Sequence, residues 1–159
     1  MTLMMPPGAK RISSGATYFY KHLFPLLWFC LLGMFLILGL KAGHQALIVV
    51  VLPLVLMAFG YLLFKALLFG LMDEVWDNGN ELIVVNEGHV EHVPFANIIN
   101  ISYSGLTNPK RATLTLRKGG HWGIHLGFIP VGSLWSFSIW RNAMIDELVQ
   151  RVDRARGSA

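Results

Sequence analysis

The sequence predicts a membrane α + β protein, in which a two-helix transmembrane hairpin is followed by a small antiparallel β domain that a C-terminal amphipathic helix closes. Three observations carry that prediction. Two uncharged apolar runs of nineteen residues, 22–40 and 46–64, stand close together. All nine acidic residues lie beyond Met72. From Asp73 onward apolar residues recur at every second position, until a last stretch where they recur every three to four.

Composition agrees with two solvents along one chain. Hydrophobic residues make up 54% and charged residues 14%, against roughly 25% charged in an ordinary soluble domain. The apolar half holds only five cations, Lys10, Arg11, Lys21, Lys41 and Lys65. They flank or punctuate the apolar runs, so they read as membrane-interface anchors, and the net charge of +4 is not read as a nucleic-acid footprint. The single cysteine, Cys30, lies inside an apolar run, which excludes an intrachain disulfide.

Each apolar run, at about 1.5 Å of rise per residue, nearly covers the roughly 30 Å of a bilayer's hydrocarbon. The reading places an N-terminal segment at 1–20 and a hairpin at 21–72, with helices at about 22–40 and 46–64. The apolar tail after Lys65 can carry the second helix on to 72. The first run is too long for the apolar core of a signal peptide, and no small-residue cleavage site follows it, so it is expected to be retained. Pro25 falls in the first turn of helix one, where a missing N–H costs little, and Pro53 falls mid-helix, where it should kink helix two. Lys10, Arg11 and Lys21 precede the first helix and only Lys41 stands at the tip. The positive-inside bias therefore places both termini in the cytoplasm. No Asp, Glu, Lys or Arg lies inside either helix core, which argues against an ion path.

The β half follows from its turns. Asp77-Asn78-Gly79-Asn80 separates Glu74-Val75-Trp76 from the run Leu82-Ile83-Val84-Val85, and Asn86-Glu87-Gly88 leads into His89–Val93. Ile99, Ile101 and Tyr103 alternate with polar neighbours, as do Ala112, Leu114 and Leu116, and then Ile124, Leu126 and Phe128. About six short strands result. Trp140, Met144, Ile145, Leu148, Val149 and Val152 keep helical spacing, with Arg141, Asp146, Glu147, Arg151 and Asp153 off that face. The domain is bounded at 73–156, leaving 157–159 as a tail.

The run Asp73–Leu82, the segment Val93-Pro94-Phe95-Ala96-Asn97-Ile98 and the strand Asn108–Leu116, taken with the terminal helix, resemble the bacterial pleckstrin-homology-like domain. The two-helix prefix is similar to a group of small bacterial membrane proteins that carry such a domain and have no assigned activity. The resemblance spans about 85 residues of the β half and implies a bacterial inner-membrane location and a fold, but no chemistry. Lipid-binding members of the wider fold place phosphate-binding cations around the first strand-to-strand turn. Here that turn is taken as Asp77-Asn78-Gly79-Asn80-Glu81, whose acids would repel a phosphate.

Charge order singles out the candidate surface. Residues 73–91 hold six acids and no Lys or Arg, whereas 92–145 hold five cations and no acid. Lys110, Arg111, Arg117 and Lys118 cluster on one strand, with Arg111 and Arg117 on one face about 20 Å apart. Trp122 in a glycine-flanked turn and Trp135 before the helix add apolar surface. These six residues form the candidate lipid or partner surface. The histidines do not converge at metal-ligand spacing, and no Gly-x-Ser-x-Gly, P-loop or His-Glu-x-x-His is present, so no catalytic residue, metal or cofactor is expected. Function is expected to be non-catalytic: a membrane-anchored scaffold, acting as an accessory subunit or homo-oligomer that docks a membrane protein complex. The expected partners are membrane lipids and that complex, with no nucleic acid and no small-molecule substrate. Alternatives are an anionic-lipid sensor using strand 110–118 and a minor channel or transporter component.

Overall fold

A strand that precedes the apolar helices, Lys10–Arg11 (β1), pairs antiparallel with one that follows them, Glu74–Asp77 (β2). The computed structural model describes residues 6–41, 47–105, 109–132 and 142–157. The chain forms two compact units: the residues up to Thr17 together with those from Leu71 onward, and Tyr18–Gly70.

The helical unit contains most of helix α1, Ala16–Lys41, and helix α2, Leu47–Leu67. Helix α1 starts earlier than the apolar run suggests, and α2 ends at Leu67, short of residue 72. Within α1 the residues Phe19–Leu23 form a wide π turn. Pro25 explains it, since proline has no N–H for the Lys21 carbonyl and its ring crowds that oxygen. Pro53 lies inside α2. The helices run antiparallel, because contact pairs descend on one as they climb on the other. Gly39 faces Val49, Gly33 faces Met57 and Gly60 faces Trp28, while Phe64 meets Phe24, Trp28 and Phe29 edge-on with ring centroids 5.6 to 6.4 Å apart. Leu32 is also buried, and most of the other apolar side chains are exposed. Only 11% of the most apolar stretch of each helix is buried, and both are long and apolar enough to cross a membrane. Cys30 is free and exposed.

The second unit is a mixed α/β fold with two antiparallel sheets. One has the order β1-β2-β3-β4, with β3 at Glu81–Asn86 and β4 at His89–Pro94. The other has β5 at Ile98–Ser104, β6 at Arg111–Gly120 and β7 at Gly123–Phe128. The two-residue turn Glu87-Gly88 has positive φ at both positions, +50° and +80°, the geometry whose twist suits a tight hairpin. Helix α3, Ala143–Gly157, buries Ile145, Leu148 and Val152 on one face as its spacing predicts. They join Val75, Leu82, Val84, Val93, Ala112, Leu114, Leu116, Leu126 and Phe128 in one core.

Three expectations change. The sequence sets residues 1–20 apart as a separate segment, yet Ile12 is 2% exposed within this core, and Ser14 N–H reaches Ile129 O at 2.7 Å. The acidic turn Asp77–Glu81 is the second strand-to-strand connection of the sheet; the first, from β1 to β2, is the helical segment itself. In β5 a register shift between Ile98 and Asn100 turns Ile98 into the core (0% exposed) and Ile99 out (44%), so Ile99 does not share the face of Ile101 and Tyr103.

Candidate functional site

Strand β6 is longer than the core it covers. Ala112, Leu114 and Leu116 are buried, and then Arg117, Lys118, Gly119 and Gly120 are all exposed. Strand β7 returns with Gly123, Ile124 and His125 exposed and only Leu126, Gly127 and Phe128 buried. The hairpin therefore projects from the β unit. At its tip the chain reverses through His121-Trp122, and Gly123 takes φ +89°, which a side chain would strain. A register shift between Thr115 and Gly120 interrupts the ladder below the turn.

Side chains from neighbouring elements hold the projection in place. The Asn97 amide donates to Lys118 O at 3.0 Å and its oxygen accepts from Lys118 N–H at 2.9 Å, closing a ring that mimics a strand pair. The Glu91 carboxylate accepts from His121 N–H at 3.1 Å and lies where a Cβ at Gly120 would sit. The His89 and His121 rings stack with centroids 5.2 Å apart, and His121 meets Trp122 edge-on. On the flank, Thr115 Oγ1 and His125 Nδ1 approach to 3.4 Å. The tip is consequently a braced platform rather than a loose loop.

The predicted six-residue surface divides. Arg117 and Lys118 sit on the tip, exposed to solvent. Trp122 is partly buried and packs against the core, so it anchors the tip where the sequence suggested a free aromatic. Lys110 and Arg111 lie at the other end of β6, about 20 Å away at roughly 3.3 Å per residue. Arg111 lays its side chain across Gly127, within 3.4 to 3.7 Å of where a Cβ would be. Burial draws its guanidinium below the ordinary value, though an arginine remains a cation at neutral pH. Trp135, Trp140 and Arg141 lie outside the described residues. Of the anchors, Lys10, Lys41 and Lys65 are exposed, Arg11 is half-buried and pairs with Glu74 at 3.2 Å, and Lys21 is buried.

Sequence reasoning sets His121 in the turn beside Trp122 but misses His89, His125 and Ile124 as members of the tip. Ile124 shares the parity of Leu126 and Phe128, yet it is 48% exposed because the strand has left the core. The gathered groups are two permanent cations, three imidazoles and one exposed aliphatic side chain, a combination suited to an anionic, partly apolar surface. Glu91, the acid nearest the turn, is already engaged with His121 N–H. Among the described residues no three His, Cys, Asp or Glu side chains converge in a geometry that holds a metal ion. No protein-family model, no curated protein and no solved structure matches the chain.

Proposed function

We propose that the chain is a membrane-anchored, non-catalytic interaction protein of pleckstrin-homology-like fold, whose β unit docks a membrane protein complex at the cytoplasmic face of a bacterial inner membrane. The observation that carries the reading is the pairing of β1 with β2 across the intervening apolar helices. Helices so exposed and so apolar suit a lipid surround, and strands that meet in one sheet favour both outer ends of the hairpin on one side of it. Lys10, Arg11 and Lys21 against Lys41 favour the cytoplasm for that side. The arrangement of four plus three antiparallel strands closed by one C-terminal helix supports the fold assignment.

Docking is assigned to the β6–β7 tip because it is preformed, projecting and chemically distinct from the acidic turns of β2–β4. Tethering to the membrane supplies the effective concentration that a small surface needs. Exposed Ile124, on the same hairpin tip as Arg117 and Lys118, also favours a second reading, contact with anionic lipid headgroups at about 1 kcal/mol per cation near the surface.

The test uses the full chain in membranes, with Cys30→Ser removing the native thiol. Alkaline carbonate should leave the chain in the pellet. Lys118→Cys should react with an impermeant maleimide in inverted vesicles and not in right-side-out ones; the reverse labelling would sink the topology. Arg117→Glu with Lys118→Glu should strip co-purifying protein from the detergent-extracted chain. If the pair of changes instead weakens capture of anionic vesicles by the purified chain in a salt-dependent way, the lipid reading replaces the protein one.

A further inference from the structure

Among the described residues, seven strands in two open sheets leave four edges, and bare edges invite pairing with another chain. Three are blunted. Strand β1 has two residues, both cationic, and beyond it Ile12 O accepts from Val131 N–H at 2.9 Å. The edge of β7 is occupied by Met72, whose N–H reaches Gly127 O at 2.7 Å, and by the bridge from Leu71. Strand β4 carries Glu91, two histidines and Pro94, all guards against edge pairing. Strand β5 is different. It pairs with β6 on one side, and its seven residues, Ile98-Ile99-Asn100-Ile101-Ser102-Tyr103-Ser104, include no charge and no proline. Beyond its ladder with β6, Ile99 O accepts from Arg156 at 2.7 Å.

The ladder fixes which backbone groups face outward. Gly127 O is turned away from β6 toward Met72, so its partner Thr113 bonds Ser102 of β5, and the N–H and C=O of Ile101 and Tyr103 point to the outer edge. The side chains alternate across the sheet: Ile101 and Tyr103 are half-buried against the core, and Asn100 and Ser102 are exposed. Among the described residues the Tyr103 hydroxyl is buried without a hydrogen-bond partner.

We propose that β5 is a homodimer edge, pairing antiparallel with β5 of a second copy about a two-fold axis through Ser102. The strand is self-complementary in that register. Ile101 falls opposite Tyr103 of the second copy on the inner face, an aliphatic–aromatic pair of the kind that stabilises sheets. Asn100 falls opposite Ser104 on the outer face, and Ser102 meets itself on the axis. The outward groups of Ile101 and Tyr103 then meet as hydrogen-bonded pairs, which the geometry around a non-bonded central residue demands. A two-fold contact sets the whole strand against a copy of itself, so a charged strand would repel its partner and an uncharged one does not. The product is one six-stranded sheet, within the ordinary range of sheet sizes. The inference rests on the proposed membrane anchoring in one respect only: two copies held in one bilayer meet at high effective concentration.

Disulfide trapping in membranes containing the full Cys30→Ser chain tests it. Ser102→Cys places two thiols across the axis with Cβ atoms about 5 Å apart, and mild oxidation should yield a dimer. Asn100→Cys alone sets its thiols about 13 Å apart, beyond disulfide reach, and should not cross-link, whereas Asn100→Cys with Ser104→Cys should. Ser102→Lys, on an exposed position, should keep the circular dichroism of the parent and halve its mass in detergent by light scattering. A parent chain that is monomeric at every concentration overturns the proposal. So does equal cross-linking by the Ser102→Cys and Asn100→Cys chains, a dimer that survives Ser102→Lys, or a foreign chain that shields the thiol of the Ser102→Cys variant from labelling. Carbonate extraction of the same membranes reports separately on anchoring, so failure of one reading is not mistaken for failure of the other.

Discussion

Val75 N–H donates to the Ser13 hydroxyl at 2.9 Å, a buried hydrogen bond between residues 62 positions apart. The Val75 carbonyl in turn accepts from Ile12 N–H at 2.9 Å and Ser13 N–H at 3.2 Å. Everything between these partners is the helical segment and its junctions. One short basic stretch ahead of the helices is therefore a structural member of the β unit behind them.

Removing that hydroxyl leaves a buried amide without a partner. Ser13→Ala should destabilise the β unit by about 1–3 kcal/mol, and Ile12→Ala, which opens a cavity in the core, by about 2–4 kcal/mol. Urea titration of the detergent-solubilised chain, followed by tryptophan fluorescence, checks both. An unchanged midpoint in Ile12→Ala would mean that β1 does not pack.

Asp77 carries a second long-range tie. Its carboxylate is buried, pairs with Arg151 of α3, and also accepts from Gly79 N–H at 2.9 Å in the turn below. Arg151 additionally stands over the Phe95 ring, 5.9 Å from its centroid. Arg151→Met keeps the apolar stem and strands the acid, so it should cost about 2–4 kcal/mol. Asp77→Asn with Arg151→Met together should cost less than the sum of the two single changes, as measured in a double-mutant cycle.

Stability should fall at acid pH through Glu81. Hydrogen bonds from His92 at 3.0 Å and from Asn78 at 3.2 Å hold its carboxyl below the ordinary value of 4.5. A carboxyl depressed in the folded state contributes fully above its unfolded pKa and loses that contribution as pH drops through the folded one. Glu81→Gln should flatten the dependence of the urea midpoint on pH below about 4.5, and His92→Ala should do the same in part. A variant that keeps the parent's acid limb would assign it to other carboxylates.

In the helical unit Gly60 is a position intolerant of a side chain. A Cβ there would lie 2.7 Å from Trp28 Nε1, and Trp28 itself meets Phe64. Gly60→Leu should push the indole outward and cost about 1–3 kcal/mol through overpacking. Gly70→Leu, with nothing within 4 Å, serves as the matched control. Trp28 emission and resistance to thermal unfolding in detergent should separate the two.

The legible parts of the fold are those where one local period runs uninterrupted. Strands β2 and β6 and helix α3 each repeat one pattern against one core, so alternation and helical spacing locate them, while β3 is located by its continuous apolar run between two turns. Strand β1 is illegible because its two residues are Lys10 and Arg11, which carry the chemistry of a membrane flank, and its role depends on a partner strand on the far side of the helices. Ile99 and Ile124 mislead for related reasons. A one-residue register shift reverses the face of the first, and an overlong hairpin carries the second past the end of the core, while neither changes the alternation itself. At the candidate surface the cations are visible as a cluster in sequence. Their division between the two ends of β6 depends on strand length, and His89 joins them only through the return of β4 beside the turn.

The position of β1 also dictates an order of events during synthesis. It leaves the ribosome first, yet its partner strand cannot exist until the whole helical segment has followed it. Until then Ile12 has no core to enter and Ser13 no amide to accept. Sheet closure is thus a late, non-local step, of the kind that loop entropy makes slow. A chain whose helices fail to assemble keeps its first strand apart from the rest of its sheet, so the finished sheet is itself a record that the helical segment was put in place.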